Sequence, residues 1–545
     1  MLRTLSRSLA LVLLAGFVAA SVVTLAGQQA GGTSTNPTPP PAAAPVRPAD
    51  QQAYSAATAI KDPEQRLAAL RKFKIDFPTS GGQSSADNAI LDTLIGSFPD
   101  RKDEIAKAID VVVANWSTTG STRMMQVQSL VTKLADKKVM LDKAESLVGE
   151  AMELLDRDFK QAQAQGVETL GVVHLAQGDT ARAEKEFTDA FAVNSTLTRA
   201  PVELAQMAAR RGDDQAVLGY LMPLAASGKL KVSEEDVLRA SYKKTHSGSL
   251  DGYDVDLDKV YREKFPSTVK NIERYHASAA RTTRTVLAEM FTGAGCPPCV
   301  SADLALDAVA ERYSDADVIT LAYHANIPQP DPMVTAGNEV RRNYYKVGGV
   351  PTIEVDGASK VGGGAREAAP RTYADYVSMI DKALETTPRA KVTLQATRDG
   401  HRIHVSATAS DLASDASEIR LQIVLAEHEL RFVGENGIRF HSMVVRGVAG
   451  DNGGGFAVSP SSQTTAEWTF DLDAIADDIT KTLNAELTKR HSNDGSTPHD
   501  YRAEGHAMTT IDPAALSVIA FVQETTGEGA SLKHQVLQAT KVEVK

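Results

Sequence analysis

The sequence has little cysteine: its 545 residues include two, Cys296 and Cys299, three positions apart. This scarcity excludes a framework of structural disulfides, because a bond between such close residues closes too short a loop to constrain the unfolded chain much. It also argues against a zinc clip, since there is no second C-x-x-C pair and the 12 histidines are scattered. The sequence therefore predicts no metal site, and nothing in it indicates a cofactor.

Long apolar runs and a surplus of basic residues are also missing from the body of the chain. After residue 26 no stretch is apolar enough to span a bilayer. The formal net charge of −11 argues against a nucleic-acid surface, which would need a basic face. We therefore expect no nucleic-acid partner and no membrane span, apart from an N-terminal anchor if the first segment stays uncleaved.

The N terminus has the layout of a signal peptide over residues 1–26. Arg3 and Arg7 supply a positive start, an apolar run follows to Leu25, and small residues lead to a cleavage site at Ala26. Cleavage is favoured over an uncleaved anchor because the run falls short of the roughly 20 residues that span a bilayer. Either outcome predicts export to the periplasm or cell envelope. Residues 27–50 are a linker rich in Pro, Ala and Gly.

Residues 51–280 show helical periodicity with a repeat resembling the tetratricopeptide type. Small residues mark the places where two helices would touch, and a Gly-Asp pair marks each turn. The first unit carries Leu170, Gly171, Gly178, Asp179, Ala183, Phe187 and Ala190, and the weaker second carries Leu204, Ala205, Gly212, Asp213 and Leu221. Such an array predicts a groove for a peptide or protein partner, and a helical platform without a ligand remains the alternative.

Residues 281–389 change to an α/β pattern around the cysteines. Arg284 to Phe291 reads as a buried strand, and the motif Cys296-Pro297-Pro298-Cys299 follows a glycine-rich turn. After it, Ala302, Leu306, Val309 and Tyr313 fall on one helix face. Strand, C-x-x-C and helix in this order are the thioredoxin-like arrangement, in which two sulfurs alternate between dithiol and disulfide.

Further along the same region, Val350 and Pro351 follow two glycines and open a strand. Thioredoxin-like domains carry a cis-proline at this point, beside the disulfide. An X-Pro bond is the one peptide bond where the cis form costs little. We expect Pro351 to be cis and Val350 to pair with an extended substrate, and plain strand initiation is the alternative.

Beyond residue 389 the sequence is mostly β, which predicts a β-sandwich over residues 390–545. A helical insert is expected near residues 472–487. The predicted strands are Val392–Thr397, Arg402–Ala407, Ile419–Ala426, Phe440–Val445, Thr464–Phe470, Leu516–Gln523 and Gln535–Val542. The predicted fold class is thus multidomain: an α-helical repeat region, a thioredoxin-like α/β domain and a β-sandwich.

Together these regions resemble a family of exported bacterial proteins. Three stretches carry the resemblance: residues 289–299, Val350-Pro351, and the β segments around Glu427 and from His441 to Arg446. Members of this family pair a thioredoxin-like domain with a C-terminal β domain related to an outer-membrane-associated family. The resemblance implies an envelope thiol–disulfide protein. Two departures from the thioredoxin pattern are Gly295, where a tryptophan usually precedes the first cysteine, and Met290, where an aspartate is usually buried.

The two cysteines are expected to differ in role. Cys296, at the start of the helix with its sulfur toward solvent, is the predicted nucleophile, since the helix dipole favours its thiolate. Cys299, one turn in and facing the core, is predicted to resolve the mixed disulfide and to form the Cys296–Cys299 disulfide. The two prolines between them remove two N–H donors, which leaves chiefly the amide of Cys299 to bond the thiolate.

Three further side chains are candidate auxiliary groups. His324 and Asp331 lie in a loop leaving a strand end near Cys296, where they could assist proton transfer. The favoured alternative is a solvated loop without a chemical role, because such loops usually lie on the surface. Glu289 neighbours the Met290 position but should face the opposite side of its strand. The alternating Asp254, Asp256 and Asp258 lack calcium-loop spacing and are interpreted as solvated surface.

Two functions from different classes follow from these patterns. The first is an extracytoplasmic thiol–disulfide oxidoreductase whose partners are protein thiols and disulfides, with a further protein partner on the helical repeats. The second is a non-catalytic cell-envelope scaffold in which the repeats and the β region bind proteins and the dithiol is an inert remnant.

Overall fold

The structure is a computed structural model, and it describes residues 48–156, 158–328, 330–414, 416–494, 509–528 and 531–545. The predicted signal peptide, residues 1–26, and nearly all of the linker 27–50 lie outside the described residues. The last two residues of that linker, Ala49 and Asp50, already belong to the first helix. Within the described ranges, no helix combines the length and apolarity that crossing a membrane requires.

The chain divides into two compact units, Met1–Thr93 and Leu94–Lys545. In the first unit the described residues form α1 (Ala49–Ala59), α2 (Pro63–Asp76) and most of α3 (Gln83–Ser97). The side chain of Asp62 caps α2 by accepting a hydrogen bond from the amide of Gln65 at 2.8 Å. The rings of Tyr54 on α1 and Phe73 on α2 lie 5.7 Å apart, so an aromatic contact joins the two helices.

The second unit opens with a long helical region. Its helices are α4 (Lys102–Ala114), α5 (Gly120–Asp136), α6 (Leu141–Glu153), α7 (Lys160–Gln177), α8 (Thr180–Val193), α9 (Arg199–Arg211), α10 (Asp214–Ala226), α11 (Val232–Thr245) and α12 (Tyr253–Lys264). Each predicted Gly-Asp turn joins two of them, α7 to α8 and α9 to α10.

The turns of this region are built as the repeat pattern predicts. Gly178 ends α7 with φ of 92°, a conformation that favours glycine, and Asp179 caps α8 by accepting from the amide of Arg182 at 3.1 Å. A Cβ on Gly171 would lie 2.8 Å from the ring of Phe187. The small residue is therefore required where the two helices touch, and the predicted helix pairing is confirmed.

Strands dominate the remainder of the described chain. They are β1 (Val286–Thr292), β2 (Val318–His324), β3 (Thr352–Val355), β4 (Ala358–Val361), β5 (Lys391–Asp399), β6 (Arg402–Ser410), β7 (Glu418–Arg431), β8 (Phe440–Val448), β9 (Phe456–Ala457), β10 (Thr464–Asp471), β11 (Leu516–Thr526) and β12 (Lys533–Glu543). The accompanying helices are α13 (Val300–Arg312), α14 (Ala336–Tyr344), α15 (Ala369–Leu384) and α16 (Leu472–Asp494). The strands predicted beyond residue 389 and the helical insert are all present.

The strands form two sheets, and the larger one crosses the predicted domain boundary at residues 389 and 390. Its order is β12-β11-β7-β8-β2-β1-β3-β4, with β9 paired to β7, and the second sheet has the order β10-β6-β5. Strand β2 runs parallel to both β1 and β8, meeting β8 where Ala322 is opposite Val444. The sequence predicts separate α/β and β regions, whereas hydrogen bonding joins their strands in one sheet.

Each face of the larger sheet has its own core. Beneath one face, Leu287 of β1, Leu321 of β2, Val445 of β8 and Phe521 of β11 belong to a single apolar cluster. On the other face, α13 and α15 cover β1 and β3, and the second sheet covers β7, β11 and β12. The sandwich layer predicted for the C-terminal region is present, but its larger sheet is shared with the dithiol region.

Asp258 connects the helical region to the sheet. Its carboxylate accepts from Arg431 at 2.6 Å and from Arg439 at 2.7 Å, and its side chain is 13% exposed. The interpretation of Asp258 as solvated surface is therefore wrong, because its two partners lie more than 170 residues away in the sequence and give no local signal.

Candidate functional site

The dithiol lies between the end of strand β1 and the start of helix α13. Strand β1 ends at Thr292, a 3₁₀ turn spans Pro297–Cys299, and α13 begins at Val300. Cys296 and Cys299 form a disulfide with their Cα atoms 5.4 Å apart. Ala302, Leu306, Val309 and Tyr313 are buried on one face of this segment, as their spacing predicts.

Both sulfur-bearing residues are buried, which overturns the prediction that the sulfur of Cys296 faces solvent. Cys296 is 3% exposed and Cys299 is 0% exposed. The amide side chain of Asn436, which is 140 residues away in sequence, donates to the carbonyl oxygen of Cys296 at 3.4 Å. The backbone of Cys296 is thus bonded to a distant loop that local sequence patterns do not reveal.

The predicted substrate groove borders the disulfide. The Val350–Pro351 bond is cis, as the sequence predicts. The carbonyl oxygen of Val350 lies 3.8 Å from Sγ of Cys296, and the amide of Gly362 donates to the carbonyl of Pro351 at 3.3 Å. Val350 is half-buried, so an extended peptide reaching it would also come close to the sulfur of Cys296.

The backbone around Cys296 offers its sulfur little hydrogen-bond support. The amide of Cys299, the donor expected for a thiolate, instead donates to the carbonyl oxygen of Cys296 at 3.1 Å. The nearby Val350 carbonyl is an acceptor and cannot donate to a thiolate. Any stabilisation of a Cys296 thiolate therefore depends on the helix terminus rather than on direct amide donors.

His324 and Asp331 lie side by side beneath the dithiol loop, each 2% exposed. Nδ1 of His324 is 2.8 Å from a carboxylate oxygen of Asp331, and the same oxygen accepts from the amide of Ala294 at 2.7 Å. Burial alone would raise the pKa of Asp331, but His324 and the backbone donors bring it below its usual range. The interpretation of these residues as a solvated loop is wrong, because Asp331 fixes the backbone two residues before Cys296.

Two ionisable residues that the sequence did not single out as catalytic complete this cluster. The rings of His441 and His324 are 5.2 Å apart, and burial lowers the pKa of His441 to about 3. Asp303 accepts from the hydroxyl of Thr292 at 2.7 Å, and desolvation raises its pKa to about 7. Asp303 lies one helical turn after Cys299, a spacing that places it on the same helix face and could have drawn attention to it.

Glu289, the third auxiliary candidate, faces away from this cluster. It lies on the face of β1 that carries Leu287 and Phe291, opposite Met290, as strand alternation predicts. Arg341 donates to its two oxygens at 2.7 and 2.8 Å, and the hydroxyl of Tyr345 donates at 2.7 Å. Its carboxylate is therefore committed to a buried ion pair on the far side of the sheet.

Among the side chains that the structure describes, no group of three or more His, Cys, Asp or Glu residues is arranged to hold a metal ion. The ionisable groups near the dithiol are instead paired within the protein: Asp331 bonds His324 and the amide of Ala294, and Asp303 bonds the hydroxyl of Thr292. What this arrangement offers chemically is a pair of sulfurs, a carbonyl beside them and one carboxyl of raised pKa, that of Asp303.

No protein-family profile matches the chain, and no curated protein matches it. Among solved structures, HBP35 of Porphyromonas gingivalis matches 48% of this chain and 76% of its own length, with 16% identity and a TM-score of 0.33. A structure of Pseudomonas aeruginosa PilF matches 38% of this chain and 99% of its own length, with 17% identity and a TM-score of 0.24. Neither similarity is high enough to carry an argument about this chain.

Proposed function

We propose that the chain is an extracytoplasmic thiol–disulfide oxidoreductase that acts on protein substrates through Cys296 and Cys299. The observation that carries the proposal is the placement of their disulfide directly after β1 and beside a cis-proline. The carbonyl oxygen of Val350, which precedes that proline, lies 3.8 Å from Sγ of Cys296. This combination provides both a redox centre and a backbone acceptor beside it for an extended peptide.

The strands and helices around the disulfide support a thioredoxin-like domain over residues 281–389. Strand β1 has parallel β2 on one side and antiparallel β3 on the other. Helices α13 and α15 cover one face of these strands, while α14 lies on the face of Glu289. In this proposal Cys296 attacks, Cys299 resolves, and Val350 and Pro351 shape the groove.

The proposed reaction proceeds in two exchange steps. The thiolate of Cys296 attacks one sulfur of a substrate disulfide, forming a mixed disulfide and releasing the other substrate sulfur as a thiolate that takes up a proton. The thiolate of Cys299 then attacks Sγ of Cys296, which re-forms the Cys296–Cys299 disulfide and frees the second substrate sulfur. The substrate is reduced by two electrons and the enzyme is oxidised, and an external dithiol must reduce it for the next cycle.

An insulin-reduction assay with dithiothreitol as the dithiol tests this proposal. We expect the wild-type protein to accelerate insulin reduction and Cys296→Ser to abolish the acceleration, because that variant lacks the attacking sulfur. After reduction and removal of the dithiothreitol, Cys299→Ser mixed with insulin should accumulate a mixed disulfide on Cys296, detected by non-reducing electrophoresis and mass spectrometry. The Cys296→Ser, Cys299→Ser double variant is the matched control, and a wild-type rate equal to its rate would contradict the proposal.

The alternative is a non-catalytic cell-envelope scaffold, and the burial of Cys296 and Cys299 favours it. A sulfur that substrates cannot reach cannot begin exchange. In that case the helical region α4–α12 and the β region beyond residue 389 would carry the function by binding a protein partner. Pull-down of the same partner by wild-type protein and by the double cysteine variant, together with no insulin reduction, would establish the alternative.

Export is proposed from residues 1–26. The expected mature protein begins near Gly27 when it is recovered from a cell-envelope fraction, as measured by N-terminal sequencing. A protein that begins at Met1 in that fraction would indicate an uncleaved anchor, and a full-length cytoplasmic protein would overturn export.

A further inference from the structure

The loop between β7 and β8 lies against the loop that leads to the dithiol. We call residues 433–437 the cover segment. On its inner side, the backbone amide of Asn436 donates to the carbonyl of Ala294 at 3.0 Å. Its side-chain amide donates to the carbonyls of Gly293 at 3.3 Å and Cys296 at 3.4 Å. One residue thus bonds three carbonyls of the loop that leads to the disulfide.

The cover segment also fits closely against this loop. A Cβ on Gly434 would lie 2.4 Å from the carbonyl oxygen of Ala294, so a larger residue cannot occupy the position without moving the backbone. Cys296 is 3% exposed with this contact in place. A protein disulfide needs an in-line approach to Sγ of Cys296, and so small an exposed fraction leaves little surface for it.

The outer side of the cover segment rests on the helical region. The turn between α10 and α11 brings Gly228 so near that an added Cβ would lie 2.6 Å from a methyl carbon of Val433. The ammonium group of Lys229 donates to the carbonyl of Glu435 at 3.0 Å. The cover segment therefore lies between the dithiol loop and a turn of the helical repeats.

The bonds of the cover segment allow it to move as a unit. The amide of Gly434 donates to the carbonyl of Ile438 at 2.9 Å, and the amide of Gly437 donates to the carbonyl of Gly434 at 2.8 Å. The second bond lies within the segment and the first joins it to the residue that follows it, so both survive if the segment swings about Ile438. The bonds that must break join neutral amides to carbonyls, or an exposed lysine to a carbonyl, and each contributes modestly because water replaces it.

We propose that the cover segment is an intramolecular gate over Cys296, and that the turn between α10 and α11 holds it closed. The proposal rests on the proposed function, since a gate has a purpose only if protein substrates use Cys296. Access to the dithiol is then coupled to the helical region, and a protein partner that displaces the α10–α11 turn would open the site.

Alkylation of the reduced protein tests the gate without requiring turnover. The protein is reduced, freed of reductant and treated with N-ethylmaleimide over a pH series, and the label on Cys296 is timed by mass spectrometry. The plateau rate above the thiol pKa reports access rather than acidity. Protein unfolded in guanidinium gives the rate for a fully accessible thiol.

We expect wild-type Cys296 to react at least about tenfold more slowly than in the unfolded chain. Asn436→Ala should raise the plateau rate about tenfold, because it removes the two side-chain bonds to the dithiol loop and the bond from the amide of Ile438, and loosens the backbone bond to Ala294. Lys229→Ala, which leaves the cover segment itself intact, should raise it about two- to fivefold. Lys259→Ala, an exposed lysine elsewhere in the helical region, is the matched control and should leave the rate unchanged.

A wild-type rate within about twofold of the unfolded rate would overturn the gate, as would Asn436→Ala and Lys229→Ala rates equal to that of the control. If Asn436→Ala loses its folded circular dichroism spectrum, Lys229→Ala alone decides. Failure of the proposed function is distinguishable: slow alkylation relieved by both variants, without insulin reduction by any of them, supports a cover over an inert disulfide. Insulin reduction with rapid wild-type alkylation removes the gate and retains the enzyme.

Discussion

Two buried groups of charged side chains lie on opposite faces of the central sheet, and they differ in how completely they are hydrogen-bonded. Glu289 receives bonds from Arg341 and Tyr345 on both of its oxygens. On the other face, His324 reaches Asp331 through Nδ1, while its Nε2 has no hydrogen-bond partner among the residues described. We call the Glu289 group closed, because both carboxylate oxygens are hydrogen-bonded. The His324 group is open, because one ring nitrogen is not.

The difference separates a structural role from a chemical one. A buried ion pair whose bonds are all made holds α14 against the sheet, and exchanging protons there would break it. The His324 group borders the dithiol loop through Asp331 and includes groups whose pKa values are displaced in opposite directions, namely Asp303 and His441. Perturbed groups beside a reactive centre are typical of functional sites.

The largest expected effect comes from breaking the closed group. Arg341→Ala leaves the carboxylate of Glu289 buried without its counter-charge, which should lower the free energy of unfolding by about 3–5 kcal/mol. Urea denaturation measures this loss. Replacing both Glu289 and Arg341 by methionine is the matched control and should cost much less, because no lone charge remains. Equal losses in the two proteins would show that packing, not charge pairing, dominates this face.

A smaller effect, but one that reaches the dithiol, is expected from Asp331→Asn. The amide cannot accept all the bonds from His324, Ala294 and Met333, so the free energy of unfolding should fall by about 2–3 kcal/mol. Removing the negative charge should also make the reduced state easier to form, shifting the redox potential upward by on the order of 10 mV.

Equilibration with glutathione or dithiothreitol buffers measures that potential. The methionine double variant of Glu289 and Arg341 should leave it unchanged, since those residues lie on the other face of the sheet. A shift in both proteins, or in neither, would remove the distinction between the two groups.

The smallest expected effect is a pH dependence from Asp303. The folded protein holds the proton of this carboxyl more tightly than the unfolded chain, because its pKa is raised to about 7. Its contribution to stability is therefore greatest below pH about 4 and declines as the pH rises toward 7. Asp303→Asn should remove this decline. At pH 8 its free energy of unfolding should exceed that of wild type by about 1–2 kcal/mol, a figure that allows for the partial exposure of Asp303.

Thermal unfolding at pH 5 and pH 8 tests the Asp303 prediction. Glu311→Gln provides a control, since Glu311 is an exposed carboxylate on the same helix, α13. If Asp303→Asn is no more stable at pH 8 than wild type, the carboxyl is ionised without cost and its role near Cys299 is reduced to bonding Thr292.

Local periodicity predicted most of the secondary structure, and long-range pairing is where prediction stopped. The helix pairs at Gly178 and Gly212 and the outward turn of Glu289 follow from spacing alone. The pairing of Ala322 with Val444, which joins the α/β and β regions, leaves no local pattern in either strand. The same applies to the cover segment: Asn436 reads as an ordinary turn residue until the fold places it over Cys296.

Arg284 joins segments of the chain that are far apart in the sequence. Its guanidinium group, 1% exposed, bonds Asp356 and the carbonyls of Val536 and Leu537, and the latter lies 253 residues further along the chain. A ribosome delivers Arg284 long before it delivers those carbonyls, so the hydrogen bonds of its guanidinium group cannot be completed until β12 has been made.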